Sequence, residues 1–261
     1  MRSSFLATLV AGFYLVLTPA SGAEKDVGVV LLHGKWDRPP SNVLGLSREL
    51  RAQGYEVVTP TMPWSATREY DVTYSQAIEE VEAAAKSLRD KGAKHVIVAG
   101  YSIGANAALA YASQGRPVDA ILLLSPGHTP YAGLMKTAAQ TSVTKASDMV
   151  KSGAGNSRAA FADFNQGQSQ QIRVTAASYL SYFDPDGLAN MPKSAAAIPT
   201  ALPIFMAVGS GDPMPAVAEK TIFAVAPAHA KSISSILAAD HMGLANVVGP
   251  SLIAWLKTLE Y

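Results

Sequence analysis

The chain has 261 residues, a formal net charge of +1 and 16% charged residues, and it contains no cysteine. No block of basic residues is present, which argues against nucleic acid or an anionic membrane surface as a partner. The absence of cysteine excludes disulfides and thiolate metal sites, so packing alone must stabilise the fold.

The first 23 residues are similar to a secretory signal peptide. Arg2 provides a short positive end, the run 5–17 is apolar, and small residues lead to a cleavage site after Ala23. The apolar run is shorter than the roughly 20 residues that a membrane-spanning helix needs. We therefore expect cleavage, export to the periplasm or the medium, and no stable membrane anchor. The remainder, 24–261, is long enough for one domain with a substantial core.

Apolar and amphipathic segments alternate along the first half of the chain. The continuously apolar, β-branched run 27–32 predicts a strand buried on both faces, as in a parallel sheet. A helix begins at residue 41 or 42 and ends at Gly54. The elements predicted next are strand 55–59, helix 73–91, strand 95–99, helix 103–113 and strand 120–124. This alternation favours right-handed crossovers and a mostly parallel sheet.

A Gly-x-Ser-x-Gly motif, formed by Gly100, Ser102 and Gly104, lies at the centre of this pattern. It falls between the predicted strand 95–99 and helix 103–113, which is the context that a nucleophile requires on a sharp strand-to-helix turn. The two glycines leave room for neighbouring chain to pass close to the serine. Ser102 is therefore the candidate nucleophile.

The pattern changes over residues 127–203, where Ala, Ser, Gly and Gln dominate and no buried strand is evident. We predict a cap-like insertion of helices and loops over the active-site edge of the sheet, with helices near 135–151 and 169–182. The second helix carries three aromatic residues, Tyr179, Tyr182 and Phe183. These side chains either line a pocket or belong to the ordinary core.

Strand and helix alternation resumes in the last part of the chain. The predicted elements are strand 203–209, helix 216–223, strand 231–236 and helix 247–258. Asp212 follows the first of these strands, and His241 lies in the loop after the second. Because the carboxyl ends of parallel strands meet at one edge of a sheet, both residues are expected beside Ser102.

Acyl transfer by a serine needs a base that takes the hydroxyl proton and a carboxylate that orients the base. Ser102, His241 and Asp212 fit these three roles, and they are too far apart in sequence for any local element to join them. The alternative carboxylates are Asp184, Asp186 and Asp240.

The other histidines are interpreted as structural. His33 directly follows a strand and precedes a glycine, so it is expected to shape a loop. His95, His128 and His229 fit solvent or turn positions. No cluster has the spacing of metal ligands, and no glycine-rich phosphate loop is present, so we expect neither metal nor cofactor.

The order serine, aspartate, histidine at successive strand ends resembles the α/β-hydrolase family. The resemblance covers residues 27–259, with a looser match over 127–203. It implies an α/β-hydrolase fold with about six parallel strands flanked by helices, because the first two strands of a full family member are missing. The implied activity is that of a serine hydrolase.

The same resemblance implies an oxyanion hole made of two backbone N–H groups. One belongs to Ile103. The other belongs to the residue after His33-Gly34, which is Lys35, with Trp36 as the alternative. This chain reads His-Gly-Lys-Trp at that point, where many lipases and esterases have His-Gly-Gly-Gly.

Three aromatic residues near these positions are candidates for substrate contact: Trp36, Tyr101 and Trp64. The loop that carries Trp64 is expected over the same sheet edge as Ser102. The side chain of Lys35 is expected to be solvated, with attraction of an acidic substrate as the alternative.

These observations predict an enzyme that cleaves a small carboxylic ester through an acyl-enzyme on Ser102. A peptidase or a lactone or dienelactone hydrolase would use the same residues, because this fold supports several reactions. The alternative from a different class is a non-catalytic binding protein that has kept the fold. The intact serine, histidine and aspartate favour the enzyme.

Overall fold

The structure is a computed structural model, in which residues 26–38 and 42–261 are described; these contain eight strands and nine α-helices. The strands are β1 (Val27–Leu32), β2 (Glu56–Val58), β3 (His95–Tyr101), β4 (Ala120–Leu124), β5 (Arg158–Asn165), β6 (Gln168–Thr175), β7 (Ile204–Gly209) and β8 (Ile233–Leu237). The helices are α1 (Leu44–Ala52), α2 (Tyr74–Asp90), α3 (Ile103–Ser113), α4 (Gly133–Lys151), α5 (Ala176–Phe183), α6 (Met191–Ala196), α7 (Pro215–Thr221), α8 (Leu244–Val247) and α9 (Gly249–Lys257). The signal peptide predicted over 1–23 lies outside the described residues.

Six of the strands form one sheet in the order β2-β1-β3-β4-β7-β8, and every neighbouring pair is parallel. The prediction of about six parallel strands is therefore confirmed. Because all six strands run the same way, the loops after β1, β3, β7 and β8 leave the same edge of the sheet. That edge carries the candidate catalytic residues.

Side chains of the central strands alternate between two buried clusters, one on each face of the sheet. In β1, Val30 and Leu32 pack on the face covered by α2 and α3, whereas Val29 and Leu31 pack on the face covered by α1 and α9. A strand buried on both faces needs apolar residues at every position. This explains why β1 reads as an unbroken apolar run. No helix in the described ranges is long and apolar enough to cross a bilayer.

The segment between β4 and β7 contains an antiparallel hairpin, β5–β6, in addition to helices. The helix predicted near 135–151 is confirmed as α4. The helix predicted over 169–182 is wrong in its first half, because Gln168–Thr175 is a strand and the helix begins at Ala176.

The hairpin escaped prediction because only a few of its alternate side chains are buried. Phe161 and Asp163 point inward from β5, and Ile172 and Val174 from β6, while the intervening positions are more exposed. The result is a polar sequence with no continuous apolar run. The signal for the turn is Gln166-Gly167, where both residues have positive φ, as a two-residue hairpin turn requires.

The aromatic residues of α5 belong to the core. Tyr179, Tyr182 and Phe183 are fully buried, and the rings of Tyr179 and Phe183 stack at 4.3 Å. The Tyr70 ring meets the Tyr182 ring edge-on at 4.7 Å. Of the two alternatives left by the sequence, the ordinary core is the one observed, and the contacts of these rings attach the segment before β7 to the rest of the domain.

Candidate active site

Ser102 occupies a strained turn between β3 and α3. Its backbone has φ 57° and ψ −118°, a region that residues with a Cβ rarely adopt. The flanking glycines are required by close backbone contacts. A Cβ at Gly100 would lie 2.0 Å from the carbonyl oxygen of Gly104, and a Cβ at Gly104 would lie 2.6 Å from the carbonyl oxygen of Leu32. The motif thus allows three chain segments to meet at the serine.

The structure brings Ser102, His241 and Asp212 into one hydrogen-bonded chain. The His241 Nε2 atom lies 3.2 Å from the Ser102 Oγ atom, and the Nδ1 atom lies 2.5 Å from the Asp212 Oδ2 atom. Asp212 lies just after β7 and His241 just after β8. The three residues are separated by up to 139 positions in sequence, and only the parallel sheet makes them neighbours.

The alternative carboxylates do not contact His241. The Asp240 Oδ1 atom accepts the Gly243 N–H, and the Asp184 Oδ1 atom accepts the Asp186 N–H. Asp186 pairs with Lys193 at 2.5 Å. Of these four carboxylates, Asp212 is the one hydrogen-bonded to the His241 ring.

Asp212 is held in its charged form. Burial alone would raise its pKa, but hydrogen bonding to His241 and the charge of that ring outweigh burial, so the pKa lies below its ordinary value. The Met214 N–H donates to the Asp212 Oδ1 atom at 3.0 Å, which leaves Oδ2 for the histidine. The Tyr101 hydroxyl donates to the His241 carbonyl oxygen at 2.6 Å and fixes the histidine loop.

The predicted oxyanion donors, Ile103 and Lys35, lie at the site: Ile103 directly follows Ser102, and Lys35 lines the same cavity as Ser102. Within the described residues, the amides of Ile103 and Lys35 donate to no backbone carbonyl. The alternative donor, Trp36, is already engaged, because its N–H donates to the Trp64 carbonyl at 2.9 Å. Of the two candidates in the turn after β1, Lys35 is thus the one with a free amide.

The expectation of a solvated Lys35 side chain is wrong. The side chain is buried, with Nζ 2.7 Å from the Asp163 Oδ1 atom and 2.9 Å from the Phe164 carbonyl oxygen. Burial lowers the pKa of Lys35, and the charge of Asp163 opposes that shift. The hairpin places Asp163 where it removes the ammonium group from water, and the sequence offered no sign of that pairing.

None of the three aromatic residues predicted to contact substrate lines the cavity at Ser102. Tyr101 and Trp64 are buried, and Trp64 Nε1 donates to the His33 carbonyl at 2.9 Å. Trp36 is partly exposed, and its Nε1 donates to the Asp163 Oδ2 atom at 2.6 Å. In the structure, the hydrogen bonds of these side chains connect the loops around the site.

A cavity of about 520 Å³ opens at Ser102 and His241. Helix α4 and the tip of the β5–β6 hairpin form its walls, so the residues that shape it come largely from the segment between β4 and β7. Its apolar lining residues include Pro126, Leu134, Met135, Ala138, Phe164 and Met214. The size and lining suit a small ligand with an apolar part.

Two buried histidines flank the site without belonging to the hydrogen-bonded chain. His33 Nε2 accepts the Met62 N–H at 3.0 Å, which supports the loop-shaping role predicted for it. His128, predicted to occupy a solvent or turn position, is instead buried and lines the cavity. Its Nε2 atom lies 2.7 Å from the Tyr182 carbonyl oxygen, so Nε2 carries a proton, and burial lowers the pKa of the ring and favours its neutral form. The only sequence signal was its position after Ser125-Pro126-Gly127 at a strand end.

We expect the buried His128 to make the fold sensitive to acid. Burial, and secondarily the charge of Lys35, lowers its pKa from the ordinary 6.5 to about 3. Between these values the unfolded chain binds a proton that the folded protein excludes, so the free energy of unfolding should fall by several kcal/mol as pH drops from about 6.5 toward 3. Urea unfolding at pH 7 and pH 4.5 measures this. His128→Gln should flatten the dependence of the free energy of unfolding on pH; equal slopes for wild type and His128→Gln would contradict the prediction.

Within the described residues, no group of three or more His, Asp or Glu side chains is arranged to hold a metal ion. The chemistry that the arrangement supports is attack by an activated hydroxyl on an acyl carbon.

Comparison with known proteins gives a family and a set of similar folds. The model of the alpha/beta hydrolase family matches residues 29–247. A structure from the metagenome-derived lipolytic enzymes LipS and LipT has a TM-score of 0.61 and 15% identity, over 89% of this chain and 94% of the other. The monoacylglycerol lipase of Paleococcus ferrophilus has a TM-score of 0.58 and 15% identity, over 89% and 93%. Est1E of Butyrivibrio proteoclasticus, solved with ferulic acid, has a TM-score of 0.59 and 12% identity, over 90% and 92%.

A search of curated proteins finds no significant match. At these identities the solved structures show a common fold and do not transfer a substrate. The family match spans most of the chain, and it agrees with the parallel sheet and the strained serine turn described above. This protein belongs to the α/β-hydrolase family.

Proposed function

We propose that this protein is a serine hydrolase that cleaves carboxylic esters with a small apolar acyl or alcohol group. The observation that carries the proposal is the hydrogen-bonded chain of Ser102, His241 and Asp212, which opens on a largely apolar cavity. A buried imidazole between a hydroxyl and an ionised carboxylate is the arrangement that activates serine for acyl transfer.

The reaction begins when the Ser102 Oγ atom attacks the ester carbonyl carbon and His241 Nε2 takes the hydroxyl proton. The carbonyl oxygen becomes negative and is stabilised by the N–H groups of Ile103 and Lys35. Asp212 accepts the hydrogen bond from Nδ1 and stabilises the imidazolium. Return of the electron pair breaks the bond to the alcohol, which leaves with the proton from Nε2. Water, deprotonated by His241, then attacks the acyl carbon. The bond to Ser102 Oγ breaks, Oγ takes the proton back from Nε2, and the acid is released.

Labelling by a fluorophosphonate probe tests the nucleophile directly. The wild-type protein should take up one label, because the probe traps a serine whose hydroxyl is activated. Failure of the wild-type protein to label would contradict the proposal and favour a non-catalytic binding protein. Aryl esters, thioesters, lactones and short peptides, assayed side by side, then separate the ester hydrolase from the other hydrolases of this fold.

The cavity wall formed by α4 should set the length of the group accepted. Ala138 lines the cavity, and Ala138→Phe would fill part of its volume. In a panel of p-nitrophenyl esters from acetate to decanoate, we expect the variant to lose roughly 10- to 100-fold in kcat/KM for the longer chains and to keep activity on acetate. Thr137→Phe, at the neighbouring exposed position outside the cavity, should retain the wild-type preference. An unchanged chain-length profile in Ala138→Phe would show that the substrate occupies another region.

We also propose export, with cleavage after Ala23. The proposal is supported by the positive, apolar and small-residue order of the leader. Amino-terminal sequencing of protein recovered from a cell fractionation should give a chain that starts at Glu24 in the periplasm or the medium. Recovery of the uncleaved chain from the cytoplasm would contradict it.

A further inference from the structure

Asp163 is a fully buried carboxylate on β5 that accepts four hydrogen bonds. Its Oδ1 atom accepts from Lys35 Nζ at 2.7 Å and from the Phe164 N–H at 2.8 Å. Its Oδ2 atom accepts from Trp36 Nε1 at 2.6 Å and from the Tyr70 hydroxyl at 2.9 Å. Two carboxylate oxygens offer about four acceptor positions, so the group is satisfied. Burial would raise its pKa, but Lys35 and these donors hold the pKa below its ordinary value.

Stability alone does not account for this cluster. A buried ion pair gains little over well-packed apolar side chains of the same volume, because both charges must lose their water. The cluster instead fixes the positions of the groups around Asp163, because each donor must point at a carboxylate oxygen. Both Lys35 and Trp36 come from the turn after β1, whereas Asp163 comes from the distant hairpin.

The turn after β1 contains an unfavourable backbone conformation. Trp36 has φ 59°, in the left-handed region that is unfavourable for a bulky side chain. The hairpin holds the turn at three atoms: Lys35 Nζ and Trp36 Nε1 through Asp163, and the Lys35 carbonyl through Asn165 Nδ2 at 3.3 Å. Lys35 is thus held through its side chain and its carbonyl, and its N–H, in the adjoining Gly34–Lys35 peptide, is the candidate oxyanion donor.

We propose that Asp163 is a positioning residue, which holds the Lys35–Trp36 turn so that the Lys35 N–H points at the developing oxyanion. The inference rests on the proposed function, since it assumes that Lys35 serves as an oxyanion donor. The residues that follow Asp163 line the substrate cavity. One hairpin therefore shapes both the wall of the pocket and the turn that stabilises the transition state.

Asp163→Asn and Trp36→Phe test the proposal, because loss of positioning should lower kcat and leave KM nearly unchanged. Loss of a whole oxyanion donor costs about 10²- to 10³-fold in kcat, and a displaced donor should cost less, roughly 10- to 100-fold. The KM should stay within about twofold, because the donor acts mainly in the transition state. The midpoint of the pH–kcat profile should not move, since neither variant contacts Asp212 or His241. An alkylboronic acid, which forms a tetrahedral adduct, should bind more weakly by a factor close to the loss in kcat/KM.

Tyr179→Phe is the matched control. The Tyr179 hydroxyl donates to the Ala162 carbonyl at 2.8 Å, so its loss weakens the same hairpin at the residue beside Asp163 without touching the turn. All rates are expressed per active site, titrated with the phosphonate probe at a temperature where circular dichroism shows each variant folded. We expect Tyr179→Phe to lower the Tm and to keep the wild-type kcat.

Each result bears on one of the two proposals. If the wild-type protein labels, but Asp163→Asn and Trp36→Phe both keep kcat per active site within about twofold, the positioning role is overturned while the serine hydrolase stands. The positioning role is also overturned if Tyr179→Phe loses as much kcat as Asp163→Asn, because the effect would then be general loosening of the hairpin. If the wild-type protein neither labels nor turns over any ester, both proposals fall.

Discussion

Ser102→Ala is expected to abolish turnover, with a loss in kcat on the order of 10⁶-fold for an ester that the wild-type protein hydrolyses. The Ser102 hydroxyl lies 3.2 Å from His241 Nε2, and an alanine removes the group that the imidazole would activate. Any remaining rate would come from the oxyanion hole and from substrate binding. Initial rates at high enzyme concentration, together with fluorophosphonate labelling, measure the loss.

The same substitution should leave the fold intact. Alanine keeps the Cβ, so the positive φ at position 102 is equally unfavourable in both proteins, and the substitution removes only the hydroxyl and its hydrogen bond to His241. We therefore expect the Tm of Ser102→Ala to lie close to that of the wild-type protein. Ser113→Ala, at the far end of α3, removes a serine hydroxyl that donates to the Ala110 carbonyl and should keep full activity. Equal labelling of Ser102→Ala and wild type would show that another residue is the nucleophile.

Asp212→Asn is expected to lower kcat by about 10⁴-fold while the protein remains folded. The carboxylate accepts a hydrogen bond from Nδ1 of His241, so the lone pair of Nε2 faces Ser102. An amide can instead donate to Nδ1, which moves the ring proton to Nε2 and leaves no base beside the hydroxyl. The kcat and the Tm, measured over a range of pH, report the two effects separately.

Asp240→Asn is a matched control for Asp212→Asn. Asp240 precedes His241 directly in sequence, but its carboxylate caps the Gly243 N–H and does not reach the ring. We expect its kcat to stay within about threefold of the wild-type value. Near-normal turnover in Asp212→Asn would show that a different carboxylate orients the histidine, and a large loss in Asp240→Asn would identify that carboxylate.

The sequence by itself determined the parallel sheet and the order of its flanking helices. Strands such as β1 and β4 are buried on both faces, so every position is apolar. Such a strand can be predicted from its own sequence, without knowledge of its neighbours. The turn at Ser102 was also readable. The local contacts that demand Gly100 and Gly104 lie within one strand-to-helix unit and β1, whose carbonyl passes over the turn.

Only the tertiary structure decided which distant side chains meet. The hydrogen bond between Asp212 and His241 depends on the lengths of two loops at one sheet edge, and the sequence left three other carboxylates open. The hairpin was missed because its inward face is short and includes the charged Asp163, so the alternation of apolar residues is broken. The burial of Lys35 is not predictable from the sequence, because its partner lies 128 positions away and a charge is predictable as buried only when its counter-charge can be found.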